Sequence, residues 1–436
     1  MPPKLLQTYY DPLHGEIALD GTDPTEALLI QLIDTPEFQR LRRIRQLGPA
    51  SFTFHGAEAS RFTHSLGVLA IARQAFDQLC SHYPQLKPHR PTVLCAALLH
   101  DLGHGPFSHT AEEIFGCRHE SWTERILQES NSLSQRLTAF AADLPQQIIQ
   151  TYRKTYPVPV VWQLVSSQLD CDRLDYLMRD SYFTGAASGK LDLEPLISAL
   201  GYDPVSQQLV VAESGMTAVE HYLVVRYFMY AQVYNHPTNI AATWVMEQAL
   251  KRASDLFRRD RLTTDSTLTA WFTVPTGHSM DQHLSLQAYL DADDGVFNYH
   301  FQQWQYHPDP VLADMSRRFV HRDLPKCLDI SHLSAAQQTE LVQRLHQQLN
   351  QMGLEPACYG GIKVALSRGY TQYQKGILIK TSRGLTEISQ LSPLVRALTQ
   401  VHRRSWLVYP ASVASFLAHY PDLVPETAHP AEFLTG

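Results

Sequence analysis

The stretch LLHDLGHGPFSH, residues 98–109, sets His100, Asp101, His104 and His109 directly behind an apolar run. Imidazole and carboxylate donors at this density suit a divalent metal of the first transition row. Two further segments could complete a ligand set: RFTHSLG supplies His64 and QLDCDRLDYLMRD supplies Asp172. Adjacent residues do not share one side of a straight helix, so His100 and Asp101 reach one ion only where a helix ends and the backbone bends. Each residue alone has a plainer reading. His64 could be a satisfied core histidine, Asp172 a solvated or paired carboxylate, and His100–Asp101 a helix cap with a loop carboxylate. The run before them favours the metal. Val93 to Leu99 is apolar throughout, and a charged pair emerging from a buried helix needs compensation.

Helices must hold these donors. HSLGVLAIARQAFDQL, PTVLCAALLHDLG, WQLVSSQLDCDRLDYLMRD and AVEHYLVVRYFMYAQVY carry apolar residues at spacings of three and four, so residues 60–260 read as mostly helical. Gly103, Gly105 and Pro106 end the helix after His100. TAEE reads as a capping box, with Thr110 as N-cap and Glu113 at the third helical position. Upstream, Leu32, Ile33, Phe38, Leu41 and Ile44 form a helical stripe, and Pro36 opens a second helix after Asp34 or Thr35. YYDPLHGEIAL, ahead of it, reads as a short loop. From about residue 265 the texture changes. KGILIKTSRGLTEIS predicts two short strands around a glycine-containing turn, and PLVRALTQVHRR predicts a helix. The expected fold is mainly α, with a smaller C-terminal α+β unit.

The 436 residues exceed one ordinary core and predict two or three structural units. A net charge of −7 disfavours a dedicated nucleic-acid binder, although QRLRRIRQ could form a local basic patch. No run reaches eighteen apolar residues, and MPPKLLQTYYDPLHG lacks the apolar core of a signal peptide, so neither a membrane span nor export is expected. The six cysteines form no CxxC pair, which argues against thiolate zinc and a disulfide framework and points to a reducing cytoplasm.

His64, His100–Asp101 and Asp172 match the H…HD…D signature of HD-domain phosphohydrolases. Together with the flanking DTPEFQRLRRIRQLG, RFTHSLGV, LLHDLGHGPFSH and LDCDRLDYLMRD, the chain resembles the deoxynucleoside triphosphate (dNTP) triphosphohydrolase branch. That branch includes the vertebrate SAM-and-HD-domain dNTPase and bacterial dGTP triphosphohydrolases. The resemblance is strong over residues 8–260. No SAM domain is expected ahead of DPLHGEI, so the compact bacterial homologues are the nearer match. It implies an N-terminal arm over 1–47, an HD-domain catalytic core over 48–262 and a C-terminal α+β region over 263–436.

The family reaction is attack of water on the α-phosphorus of a dNTP, releasing deoxynucleoside and intact triphosphate. The resemblance implies that His64, His100, Asp101 and Asp172 ligate Fe, Mn, Zn or Co, with Mg accompanying the nucleotide. The 5′-oxygen leaving group needs a proton, which an imidazole near neutrality can give. His104, His109, Glu112 and His119 form the family's catalytic cluster, with His109 as donor and Glu112 orienting a histidine. Tyr176 and Asp180 follow Asp172 at four and eight residues on one helical face, the far end roughly 12 Å along the axis. They match deoxyribose positions, where a tyrosine under the sugar rejects a 2′-hydroxyl by contact. Gln46, Leu47 and Tyr234 match further sugar-pocket positions. Arg61, Arg173 (often lysine in relatives) and Arg226 are the cations for the triphosphate, since arginine forks suit phosphate oxygens. Without the resemblance, these arginines could equally be surface or ion-pair residues.

In allosteric members of the branch, an aspartate and an arginine grip a guanine base between subunits. Asp34, Gln39 and Arg42 match those positions, which implies GTP or dGTP as activator and a homotetramer. A carboxylate accepts from guanine N1–H and the N2 amine, a pattern adenine lacks. LLQTYY departs from the family's basic, asparagine-containing stretch on the phosphate side of that site. The bland alternative is a charged helix with solvated Arg40, Arg42, Arg43 and Arg45. Two other functions compete: an HD nucleotidase or phosphodiesterase acting on monophosphates or cyclic nucleotides, and a nucleic-acid-binding protein with a vestigial HD core.

Overall fold

Three helices bear the metal-type donors or lead into them, and a short fourth carries Arg40. Helix Arg61–His82 starts at Ser60, whose hydroxyl accepts the Thr63 N–H at 3.4 Å. Helix Arg90–Leu99 is buried on every side from Val93 onward, as an all-apolar helix must be, and it stops at the glycines and proline that follow. Helix Cys171–Thr184 is capped by Asp170, which accepts from Arg173 N and Ser167 N at 2.8 and 2.6 Å. Gly185, at φ +73°, closes its far end in the left-handed conformation. The short helix Pro36–Arg40 begins after Thr35, as expected from Pro36. These contacts are drawn from a computed structural model, which describes residues 6–275, 278–372, 376–417 and Tyr420. Met1 to Leu5, and Lys375 of the expected strand pair, lie outside the described residues.

Two apolar cores form. One runs from Ile17 to Val233 and takes in Tyr370, Ile377, Ile379, Ile388 and Val395 from far downstream. The other joins Phe107, Ala111, Cys117 and Trp122, beside the histidine loop, to residues between Val245 and Leu417. The fold is mainly α with small sheets. Strands β1 (Leu6–Asp11) and β2 (Gly15–Asp20) pair as an antiparallel hairpin, Tyr9 opposite Ile17. β3 (Leu200–Asp203) and β4 (Gln208–Ala212) form a second hairpin. β5 (Lys326–Asp329), β6 (Gly361–Ser367), β7 (Leu378–Thr381), β8 (Gly384–Glu387) and β9 (His402–Tyr409) lie in the last third of the chain. One sheet has the order β3-β4-β7-β8 and another β5-β9-β6, so a C-terminal hairpin completes a sheet begun at Leu200. Among the described residues no helix is long and apolar enough to cross a membrane.

Several local expectations are corrected. YYDPLHGEIAL is a hairpin rather than a loop: Asp11 Oδ1 accepts Leu13 N and His14 N at 2.9 and 3.0 Å, and Gly15 at φ +69° turns the chain into β2. Residues 200–212 interrupt the helical region with β3–β4, because Asp203 caps the turn through Ser206 N at 2.8 Å. The WQLV…LMRD segment is two helices, Pro159–Val165 and Cys171–Thr184. PLVRALTQVHRR is helical only over Pro393–Leu398; His402 starts β9, which pairs with strands on both sides. Pairing across the sheet overrides the local helical pattern there. The TAEE capping box is absent: the helix is His109–Phe115, and Ser108 precedes it at φ 56° with no capping bond. Its hydroxyl instead donates to Arg45 O and accepts from Arg61 Nε, both at 2.7 Å. KGILIKTSRGLTEIS does form the expected strand pair, β7–β8.

Candidate active site

The ends of helices Arg61–His82, Arg90–Leu99 and Cys171–Thr184 meet at one point. His64 Nε2 lies 3.2 Å from His100 Nε2, 3.1 Å from Asp172 Oδ1 and 3.6 Å from Asp101 Oδ2. His100 Nε2 is 3.3 Å from Asp101 Oδ1 and 3.6 Å from Asp172 Oδ1. The other ring nitrogens fix the tautomers. His64 Nδ1–H donates to Asp175 Oδ2 at 2.7 Å, and His100 Nδ1–H donates to Ala97 O at 2.9 Å. With both rings neutral, the two Nε2 atoms would present lone pairs to one another across 3.2 Å, with two carboxylates beside them. Two lone pairs cannot hydrogen-bond to each other. A cation relieves the conflict, so the four side chains fit a divalent metal whose ligand histidines are oriented from behind. The electrostatics agree. Burial opposes protonation of His64, yet Asp172 and Asp175 raise it to about 10: the site favours positive charge.

Asp175 escapes the sequence reading, although its position three residues after Asp172 is a usable signal. It is fully buried and accepts from His64, from His14 Nε2 at 2.6 Å and from Arg179 at 2.8 and 3.1 Å. Arg179 continues to Asp11 Oδ2 at 2.8 Å. Burial would raise the Asp175 carboxyl, but Arg179 and the two histidines hold it well below the usual range. His14 comes from the β1–β2 turn, so the N-terminal hairpin supports a metal-type donor from behind.

His104, from the next loop, comes together with His109 and Glu112 of helix His109–Phe115 and with His119 at the start of helix His119–Glu129. His104 Nε2 reaches Asp101 Oδ1 at 3.2 Å and its ring stacks on His119 at 4.0 Å. Burial, with the charges of Arg61 and His119, pushes His104 far below the ordinary imidazole value, so it is neutral. Glu112 accepts from His109 Nδ1 at 2.6 Å, from His119 Nδ1 and from His119 N at 2.7 Å. Burial would raise Glu112; those histidines hold it well below the carboxylate range. His109 is the exposed member, its side chain 67% accessible.

A cavity of about 700 Å³ opens beside both groups. Gln46, Leu47, Arg61, Arg173, Tyr176 and Asp180 line it, with Tyr234. Tyr234 donates to Asp180 Oδ2 at 2.9 Å, and burial raises Asp180 to about 7. Gln46 Oε1, Asp180 Oδ1 and His104 Nδ1 are buried with no partner, which is unusual away from a ligand site. Arg226 is not on the cavity wall. It stands behind it, reaching Gln168 Oε1 at 3.2 Å, with its guanidinium 5.8 Å from the Tyr230 ring. A π-helical turn over Tyr230–Tyr234 follows helix Met216–Met229, so Arg226 and Tyr234 do not keep the common face that regular spacing implies.

Asp34, Gln39 and Arg42 gather on an outer edge. Arg42 Nε donates to Gln39 Oε1 at 2.7 Å, and Asp34 and Arg42 both act on Tyr9 of β1. Asp34 and Arg42 are exposed. Their neighbours overturn the picture of four solvated arginines. Arg40 is buried, Arg43 pairs with Asp293 and Arg45 with Glu58. Within QRLRRIRQ, Arg40 is thus out of reach of solvent, and carboxylates offset Arg43 and Arg45.

The chain matches the HD domain over residues 61–154 and the HD associated region over residues 191–269. It is 35% identical over 412 residues to the uncharacterized protein YwfO of Bacillus subtilis, covering 92% of each chain. It is 30% identical over 217 residues to the deoxynucleoside triphosphate triphosphohydrolase SAMHD1 of Gallus gallus, 42% of this chain and 34% of that one. With the Mus musculus protein of the same name, identity is 46% over 114 residues, 26% of this chain and 16% of that one. The chain thus spans about a third or less of these two relatives. The crystal structure of a phosphohydrolase from Bacteroides thetaiotaomicron superposes with a TM-score of 0.79 at 28% identity, covering 93% of this chain and 99% of that one. A hypothetical protein from Aquifex aeolicus gives 0.73 at 25% identity, covering 94% and 98%.

Proposed function

Because the chain belongs to the HD-domain phosphohydrolases, we propose that it hydrolyses dNTPs to deoxynucleoside and inorganic triphosphate. One observation carries this reading. His100, Asp101 and Asp172 of the metal-type donors, two arginines and a wall of Gln46, Tyr176, Asp180 and Tyr234 border a single cavity of about 700 Å³, within the ordinary range for small-molecule sites. His64, His100, Asp101 and Asp172 would hold Fe, Mn, Zn or Co. Bound there, such an ion supplies Lewis-acid polarisation of a phosphoryl oxygen and a more acidic water.

The chain's own groups do the rest. Arg61 and Arg173 bind phosphate oxygens, each from the cavity wall. His109 gives its Nε2 proton to the departing 5′-oxygen, held by the Nδ1–H bond to Glu112. Tyr176 lies under the deoxyribose, and Asp180, Gln46, Leu47 and Tyr234 enclose its 3′ side. Asp180 sits near half-protonation at neutral pH, so it can donate to or accept from a sugar hydroxyl. Arg226, set back behind Tyr230, acts as a reserve of positive charge. Mg would accompany the triphosphate. The Asp34–Gln39–Arg42 edge would take the base of GTP or dGTP as activator, between the subunits of a homotetramer.

Chromatographic assay of the Mn-supplemented protein with each dNTP, alone and with GTP or dGTP, tests this directly. Deoxynucleoside plus triphosphate is the expected product pair. Release of monophosphate, or turnover of cyclic nucleotides alone, would replace the reading with a nucleotidase or phosphodiesterase. Product formation without any guanine nucleotide would retain the reaction and remove the activator.

A further inference from the structure

The loop from Gly103 to Ser108 carries two non-glycine residues in the left-handed region, Phe107 at φ 53° and Ser108 at φ 56°. Backbone of that kind persists only where its surroundings over-determine it. Its supports come from 186 and 187 residues downstream, and from Arg40 upstream. Tyr289 Oη donates to Gly103 O at 2.6 Å. Arg40 spans Ala292 O, at 3.1 Å from Nε and 2.7 Å from Nη2, and His104 O, at 2.8 Å from Nη1. Asp294 uses both oxygens: Oδ1 accepts Phe107 N at 2.7 Å and Oδ2 accepts Arg45 N at 2.9 Å. Asp293, next to it, takes Arg43. The platform is rigid, since the Tyr289 ring lies flat between Trp122 at 3.7 Å and Trp271 at 5.4 Å.

We propose that the Tyr289–Asp294 segment is a positioning clamp for the hydrolytic reaction, with Asp294 its positioning residue. Asp294 ties the His104–His109 loop to the Arg45–Gln46 segment, so proton donor and sugar wall keep one spacing. The clamp gives the C-terminal region a place in catalysis without touching substrate. It rests on the reading of the cavity as the hydrolytic site. An aspartate is required because both amides need an acceptor. An asparagine offers one oxygen and turns an N–H toward the other amide.

The test uses the full Mn-loaded chain as wild type, D294N and Y289F, with steady-state dATP hydrolysis, bound-Mn analysis and hydrogen exchange read by mass spectrometry. D294N is expected to lower kcat about 100-fold with KM within about twofold, since misplacement by an ångström costs on that order. Bound Mn stays at the wild-type level. Exchange quickens in peptides covering 103–108 and 45–47 and not in helix Arg61–His82. Y289F, which keeps the stacked ring and loses one bond, is expected to lower kcat by about tenfold and quicken exchange only near Gly103. Wild-type kcat in D294N, or unchanged exchange in those two segments, overturns the clamp. If D294N fails to fold, wild-type kcat and exchange in Y289F overturn it. If the wild type turns over no dNTP, the substrate reading falls, and exchange alone still decides the clamp.

Discussion

Asp175 is fully buried, yet it determines which nitrogen His64 can offer. Its Oδ2 holds His64 Nδ1–H at 2.7 Å. In Asp175→Asn the amide can present an oxygen to that proton but loses the charge; in Asp175→Ala the proton has no partner. Metal affinity is expected to fall by about 10- to 100-fold in the alanine variant, and competition with a fluorescent chelator would show it. Equal affinity in both variants and wild type would remove Asp175 from the site. The alanine variant also leaves the buried Arg179 with Asp11 as its remaining carboxylate partner, so thermal unfolding should be followed alongside. Asp180 makes a different prediction, about pH. Burial lifts its carboxyl from 3.8 to about 7. Across that window the native chain holds a proton that the unfolded chain has released, so this group's contribution to stability falls as pH rises. Above pH 7 the difference amounts to about 4 kcal/mol. Urea unfolding at pH 5 and pH 8 should show a smaller loss in Asp180→Asn than in wild type; parallel losses would contradict the assignment. At this scale the sequence is most readable. His64, His100, Asp101 and Asp172 stand out by chemistry and come together within hydrogen-bond range. Asp294 is not readable, because nothing local marks an aspartate whose partners lie at residues 45 and 107.

Helices Arg61–His82 and Cys171–Thr184 approach closely only because residue 67 is glycine. A Cβ there would meet Asp175 Oδ1 at 1.9 Å and Arg179 Nη2 at 2.5 Å, both pinned in buried bonds. Gly67→Ala must therefore push the helices apart or displace Asp175, and either releases His64. Loss of metal binding together with destabilisation by about 3 kcal/mol or more is expected. Gly15→Ala provides the contrast. Its Cβ would enter open space, so only the φ of +69° is strained, at about 1 kcal/mol. Similar Tm losses in the two variants, measured by calorimetry, would show that the helix contact is softer than its distances imply. Elements with a strong period were legible: the apolar Val93–Leu99 run, the stripe around Phe38 and the β7–β8 pair. Those set by tertiary pairing were not. The β1–β2 hairpin has turn chemistry in DPLHG, but its alternation is short. β9 follows a helical pattern and becomes a strand because β5 and β6 flank it. The π turn at Tyr230–Tyr234 leaves no mark in spacing at all, and it ends the common face that a regular helix would give Arg226 and Tyr234.

At the scale of the molecule, a common scaffold links the outer edge to the His104–His109 loop. Asp34 and Arg42 flank Tyr9 of β1, and the same hairpin sends His14 to Asp175. Arg40 and Arg43, from the segment that carries Gln39 and Arg42, anchor on Ala292 and Asp293. A ligand on that edge would therefore meet a surface already tied to the site by both ends. If GTP or dGTP binds there between copies of the chain, it shifts assembly only as far as it prefers the assembled form. Moving the population from about 1% to 99% tetramer needs a preference near 10⁴-fold. Light scattering of the chain at micromolar concentration should then show a rise in mass on adding dGTP and none on adding dATP, since only guanine offers two donors to Asp34. Asp34→Ala should abolish the rise while leaving bound Mn unchanged, because Asp34 is exposed and lies outside the metal ligands. A rise with both nucleotides would assign the assembly to the cavity rather than to this edge. Unchanged mass with both, in a protein that hydrolyses dNTPs, would leave a constitutive enzyme whose Asp34 edge serves only to seat β1.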